Sequence, residues 1–282
     1  MKMAENKIDY FNTERFNKEI GSIRSAVTHT FVGDYSKSYE TWKRASNIIR
    51  CFREEIAARD VEAVADVGCG NGLYIFILHS VAGIKKGIRF HGIDIDTAEI
   101  CYAEEVKKRL GLDNIAFSVG NAEDTKLPEK HFDVVLLSEV IEHTADPRAC
   151  LKEVARILKP GGAAIITTPN RDNIFHGLNR IFHTRRKGEY SIRSSDMTGK
   201  RPRSYSDHIA VKGFGEWRRI IGESGFKIEL IKGGSFLQGG PCYNAHPVIF
   251  GISIILDSVL GNINFLAGKT ENITFKLRLI SS

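Results

Sequence analysis

The stretch Val64-Ala65-Asp66-Val67-Gly68-Cys69-Gly70-Asn71-Gly72 decides the fold, because it constrains backbone shape and local charge together. Apolar residues from Val61 to Val67 predict a buried strand, the glycines at 68, 70 and 72 a turn, and the apolar run Leu73 to Leu78 a following helix. Glycines at such a turn permit positive φ and let a ligand approach the main chain closely. A glycine-rich turn by itself is common in α/β proteins. The next strand, Arg89 to Ile95, carries Asp94 near its end, and an acid there suits the two hydroxyls of a ribose. The spacing departs from the G-x-G-x-x-G that seats a pyrophosphate on a helix N-terminus. Asp66, ahead of the glycines, would repel a pyrophosphate and attract a cation or an ammonium group.

Outward from this turn, strands and helices alternate, which predicts a parallel sheet with helices on both faces. The strands fall near 61–67, 89–95, 115–119, 132–138 and 163–168, and the helices near 73–82, 97–110 and 146–158. Lys159-Pro160-Gly161-Gly162 ends the last of these helices. A further helix is expected from Gly213 to Gly225, with strands near 226–232 and 272–279. Residues 1–60 read as a helical lid region, with Trp42, Ile48, Ile49, Phe52 and Ile56 at roughly helical spacing. Residues 61–282 read as the main domain, interrupted at about 171–208 by a polar insertion with Arg185, Arg186, Lys187, Arg193, Lys200, Arg201 and Arg203. An insertion of that length inside a compact domain is usually functional or mobile. No internal repeat is visible.

At 282 residues the chain can bury a substantial core. Its 42% hydrophobic and 26% charged residues are those of a water-soluble globular protein rather than a disordered or membrane-embedded one. The net charge of +6 permits an anionic partner without naming one. Cys51, Cys69, Cys101, Cys150 and Cys242 are scattered and form no C-x-x-C pair, so free thiols in a reducing compartment are expected. The polar start Met1–Asn6 does not read as a signal peptide, and the apolar run Val248–Leu260 is interrupted by Asp257 and too short to span a bilayer. The expected location is the cytoplasm, with peripheral contact to a membrane.

From about Val61 to Ile231 the chain resembles class I S-adenosylmethionine-dependent methyltransferases. The matching pieces are VADVGCGNG, FHGIDID, VGNAEDTKLPEKHFDVVLLSEVIEH, LKEVARILKPGG and GESGFKI, and their order and spacing are more specific than any one motif. The resemblance implies a Rossmann-like α/β fold with a mostly parallel seven-stranded sheet and S-adenosylmethionine as cofactor. It implies that Asp66, Gly68, Gly70 and Gly72 line the methionine part, that Asp94 holds the ribose, and that Ile95 packs on the adenine. Where the family commonly has an acid that accepts from the adenine amino group, this chain has Asn121 followed by Ala122; an amide oxygen can accept the same bond. A sulfonium is already an activated methyl donor, so alignment and the handling of one proton are what the protein must supply. No catalytic triad or P-loop is needed, and none is apparent.

A second segment, Ser138-Glu139-Val140-Ile141-Glu142-His143, ends the predicted strand 132–138, at the edge where open α/β sheets bind ligands. Two carboxylates and an imidazole suit a hard or borderline divalent cation such as Mg or Zn. The Glu-x-x-Glu-His pattern resembles two metal-dependent groups, the ubiquinone-pathway O-methyltransferases and the small-RNA 3′-terminal 2′-O-methyltransferases. On that likeness the metal ligands are Glu139, Glu142, His143 and His208, with Asp207 as second choice for the fourth position. A bound cation would lower the pKa of the acceptor hydroxyl and orient its oxygen. The same pattern also occurs in methyltransferases with no assigned metal. On that reading Glu139 faces the pocket and His143 is the general base, with Glu142 beside it.

The acceptor is narrowed by two more features. Thr167-Thr168-Pro169-Asn170-Arg171 resembles the Ser/Thr-x-x-Asn-Arg turn of the ubiquinone-pathway enzymes. Between Asn173 and Lys187, Ile174, Phe175, Leu178, Ile181 and Phe182 share helical spacing beside Arg180, Arg185, Arg186 and Lys187, which reads as a membrane-surface contact, a lid, or a packed helix with a solvated basic end. These features favour O-methylation of a small or lipid-like acceptor of the prenylated phenol or quinol type. An RNA 2′-O-methyltransferase is the alternative, since the basic insertion permits phosphate contacts. Few aromatic residues are interleaved with those charges, Tyr190 and Tyr205 being the main candidates for base stacking, so nucleic acid is the less favoured partner. Methylation of a sugar or secondary-metabolite hydroxyl is a further enzyme reading. A catalytically silent cofactor-binding subunit would have no need of the intact Glu139, Glu142 and His143 cluster.

Overall fold

Strand β1 (Ala63–Val67) is buried along its whole length because it pairs in parallel on both sides, with β2 (Arg89–Asp94) and with β4 (Phe132–Ser138). A strand covered on both faces has no solvent side, which is why it carries no alternating polar residues. In the computed structural model, which describes residues 35–83, 87–173, 211–234 and 263–280 together with Ile255 and Leu260, β1 sits inside a seven-stranded sheet. With β3 (Ile115–Val119), β5 (Leu158–Pro169), β6 (Phe226–Gly233) and β7 (Asn272–Leu279), the order is β3-β2-β1-β4-β5-β7-β6. Only β7 runs antiparallel to its neighbours, β5 and β6. This is the mostly parallel Rossmann-like sheet that the sequence predicts.

Side chains alternate across the strands, so each face has its own core. Val64, Val134, Leu136 and Ile165 pack under α1 (Tyr35–Ala58) and α2 (Leu73–Ala82), with Ile48, Phe52, Ile75 and Leu78. Ala65, Val135, Leu137 and Ile166 face the other way, against α4 (Pro147–Ile157) and α5 (Phe214–Glu223). Each of these aliphatic side chains contributes about 1.5–3 kcal/mol on burial. The helices begin and end where local chemistry allows. Asp96 caps α3 (Thr97–Leu110) by accepting from Ala98 and Glu99 N–H, and Gly111 ends it at φ 63°. Asp146 caps α4 ahead of Pro147, whose missing N–H costs nothing at that position. A four-residue helix, α6 (Asn264–Ala267), precedes β7.

One expectation changes. Lys159–Gly162 not only follows α4: it lies inside β5, which starts at Leu158 opposite Phe132 and shifts register before Val134 pairs with Ala163. Gly161, at φ 70°, takes up the bulge. Residues 43–58 of the expected lid region are packed, with Ala45, Ile48, Ile49, Cys51 and Phe52 buried. The rest of that region before Tyr35 lies outside the described residues, as do the insertion from 174 to 210, most of the apolar run 247–260, and Cys242. Cys51, Cys69, Cys101 and Cys150 are free thiols. Among the described residues no helix is long and apolar enough to cross a membrane.

The outer layer is tied down by one buried carboxylate. Glu55 on α1, 1% exposed, accepts from both arms of Arg278 (2.9 and 2.7 Å) and meets Lys276 at 2.8 Å and Arg59 at 2.7 Å. Burial alone would raise its pKa, but the hydrogen bonds from Arg278 and Lys276 and the charge of Arg59 overcome that and hold it at about 2. A depressed folded value means stability that is full above the ordinary carboxylate range and lost as pH falls from about 4.5 toward 2. Removing one partner of a buried ion pair typically costs about 3–5 kcal/mol. Glu55→Ala should therefore lower the urea midpoint by a comparable loss of stability at pH 7. Chemical denaturation from pH 7 to pH 3 should show the difference between wild type and variant shrinking with acid; a constant difference would contradict the assigned role.

Candidate active site

The turn after β1 is built by geometry that only glycine tolerates at Gly68 (φ 78°) and Gly72 (φ 79°). A Cβ on Gly68 would collide with the Val140 side chain, and one on Gly72 with the Phe117 ring. The turn is stitched to β2: Gly68 and Cys69 N–H both donate to Ile93 O, at 2.7 and 3.0 Å. Gly70 N–H donates to Asp94 Oδ2 at 2.7 Å, and Asp96 N–H to Oδ1 at 2.9 Å. Asp94 thus shapes the loop, a role the sequence did not reveal, and each of its oxygens keeps acceptor capacity.

Asp66 lies beneath this loop, 1% exposed, and neither of its oxygens has a hydrogen-bond partner among the described residues. Burial, and then the charge of Asp94, push its pKa up to about 8. Such an orphaned buried carboxyl is unusual and calls for a ligand or a functional reason. Two apolar side chains stand exposed at the same edge, Ile95 at 66% and Val119 at 52%. Asn121 Oδ1 accepts from Glu123 N–H at 3.0 Å in the turn after β3, and Ala122 packs against the core.

The second cluster follows β4. Glu139 has a left-handed backbone (φ 57°), which is strained for a residue with a side chain, and its N–H is held by Thr167 O at 3.0 Å. Its carboxylate is taken from three directions. Asn272 Nδ2 and Thr167 Oγ1 donate to Oε1 at 2.7 and 2.9 Å, and Arg44 Nη1 lies 3.2 Å from Oε2. Arg44 Nε also donates to Tyr74 Oη at 3.4 Å, so the cluster joins α1, α2, β5 and β7. Glu142, on the 3₁₀ turn Ile141–His143, is fully buried and accepts from Thr168 Oγ1 at 3.3 Å. Burial, and then the charge of Glu139, push its pKa well above the carboxylate range. His143 is exposed, with Nε2 4.0 Å from Glu142 Oε1.

The described residues do not by themselves gather the metal set expected from the Glu-x-x-Glu-His spacing, whose fourth ligand lies outside them. Thr167 and Thr168 are consecutive on β5 and face opposite sides of the sheet, so the partners of Glu139 and Glu142 belong to opposite faces. Among the described residues no group of three His, Cys, Asp or Glu side chains is gathered to hold a cation. His208 and Asp207 lie outside the described residues. The sequence reading also missed Arg44, Asn272 and Asn170. Asn170 is buried and donates to Gly268 O and Thr270 O at 2.9 and 2.8 Å, closing the end of β5 onto the chain before β7. Its place in the Thr167–Arg171 turn was the only advance signal.

A family model described as a methyltransferase domain matches residues 59–201, half of the chain. A probable S-adenosylmethionine-dependent methyltransferase of Mycolicibacterium smegmatis is 30% identical over 148 residues, covering 51% of this chain and 52% of that one. A ubiquinone biosynthesis O-methyltransferase of Parvibaculum lavamentivorans is 30% identical over 171 residues, covering 61% of each. The chain thus spans between half and about three-fifths of the length of these relatives. Among solved structures, the geranyl diphosphate C-methyltransferase of Streptomyces coelicolor A3(2) shares the fold at TM-score 0.56 and 13% identity, over 88% of this chain and 85% of the other. With the sheet order, the glycine loop and the family match in agreement, the chain belongs to the class I S-adenosylmethionine-dependent methyltransferases.

Proposed function

We propose that this chain transfers the methyl group of S-adenosylmethionine to a hydroxyl oxygen of a small or lipid-like acceptor of the prenylated phenol or quinol type. One contact carries the reading: Val140, between Glu139 and Glu142, rests on Gly68, so the polar cluster adjoins the glycine loop. The matches to ubiquinone biosynthesis O-methyltransferases support the choice of oxygen and of acceptor class.

The residues on the cofactor side suit that ligand. Asp66 is a buried acid whose oxygens have no partner among the described residues, where the ammonium group of the cofactor's amino acid moiety would be stabilised. Asp94 keeps lone pairs for a ribose, and Ile95 and Val119 offer an apolar wall for an adenine. Asn121 and Ala122 stand at the end of the next strand along. The cofactor supplies a sulfonium-bound methyl, so the protein's share is alignment and one proton. His143, at the edge of the cluster, is the group placed to accept the hydroxyl proton, with Glu142 behind it and Glu139 fixing the adjoining wall.

Three outcomes are expected. Because the Asp66 carboxyl holds its proton up to about pH 8, a cationic cofactor that favours the ionised form should release about one proton at pH 7. Affinity should rise from pH 6 to 8, and Asp66→Asn should abolish both effects. Calorimetry in buffers of different ionisation enthalpy reads this, and the absence of proton release in wild type would refute it. His143→Ala should lower kcat by about 10²- to 10⁴-fold while cofactor affinity stays within about twofold. Formation of S-adenosylhomocysteine from prenylated catechols, compared with short RNA 3′ ends, tests the acceptor; turnover on RNA alone would overturn the assignment.

A further inference from the structure

The Glu139 carboxylate already has a cation. Arg44 Nη1 reaches Oε2 at 3.2 Å, while Asn272 and Thr167 occupy Oε1. The pair is not sunk in the core: the Arg44 side chain is 18% exposed and that of Glu139 25%. Arg44 also lies close enough to Glu142 for its charge to favour the ionised form there. A guanidinium is permanently charged and presents several donors in a rigid plane, so one group can hold a carboxylate and still face a developing oxyanion. Tyr74 fixes it from the first turn of α2, directly after the glycine loop.

We propose that Arg44 is the resident cation of the acceptor site, a positioning residue that holds Glu139 and stands in for the divalent cation the Glu-x-x-Glu-His pattern suggests. The proposal rests on the acceptor-site reading above and adds that this site needs no metal. It follows from how the carboxylates are used. Glu139 spends its two oxygens on Arg44, Asn272 and Thr167, and Glu142 turns to Thr168 on the other face of β5. A cation entering between them would have to displace Arg44 and reorient a buried side chain. The N-terminal helix is then part of the site: α1 brings in its positive charge, and Glu55 at the far end of the same helix anchors it to β7.

Mn²⁺ serves as the probe, read by electron paramagnetic resonance and calorimetry on the full chain saturated with S-adenosylhomocysteine. Wild type and Arg44→Lys should take up no stoichiometric Mn²⁺. Arg44→Met, which removes a positive charge beside two carboxylates, should bind Mn²⁺ at least about tenfold more tightly than wild type, and adding Glu139→Gln should abolish that gain. Arg44→Gln repeats the test if the methionine variant does not fold. One Mn²⁺ per wild-type chain, lost in Glu139→Gln, would overturn the proposal, and so would the absence of any gain in a folded Arg44 variant. Mn²⁺ uptake is read without an acceptor, so the two readings fail separately: lack of turnover on any hydroxyl acceptor counts against O-methylation alone.

Discussion

Parallel pairing of β1 with β2 on one side and β4 on the other is the constraint from which the site follows. The chain leaves β1 toward α2 and β2, and leaves β4 toward α4 and β5, so the two connections diverge and a crevice opens at the carboxyl ends of the strands. Hydrogen bonds from the glycine turn to Ile93 O and Asp94 keep one wall of that crevice close to β2. Val140 against Gly68 joins the other wall to it. A side chain at Gly68 would push the two walls apart.

Four buried acids among the described residues divide into two kinds. Glu55 has three cations around it, and Glu153 is held at about 2 by Arg156 and Thr125 despite its burial. These acids anchor α1 and α4 and are ionised at any physiological pH. Asp66 and Glu142 are as well buried but poorly compensated, and both are shifted upward. Raised carboxyls work against folding as pH rises through and above the ordinary carboxylate range. Both lie at the carboxyl edge of the sheet. Glu139 stands between these kinds: strained in its backbone, but fully engaged by Arg44, Asn272 and Thr167.

Much was legible because it is local. Strand and helix bounds follow from runs of apolar residues, from Asp96 and Asp146 as caps, and from glycines that must adopt positive φ. The positions of the glycine turn and of the two acids near it were legible for the same reason, since a strand, a tight turn and a helix leave one direction for the main chain. Glu139, Glu142 and His143 were recognisable as a cluster from their spacing, but the side of β5 on which each carboxylate finds its partner was not. The 3₁₀ turn sends Glu142 inward to Thr168 while Glu139 stays with Thr167 on the opposite face.

What the sequence by itself determined, then, is the alternation of elements and the cofactor class, because each depends on backbone geometry and charge within a short stretch. What only the tertiary structure decided is which groups surround each acid. Asn272 reaches Glu139 across 133 positions, and Arg44 arrives from a helix whose own sequence marks it only as a surface cation. Those contacts are set by the antiparallel insertion of β7 and by the packing of α1 across the sheet, and a long-range contact of this kind leaves no periodic trace in either segment that makes it.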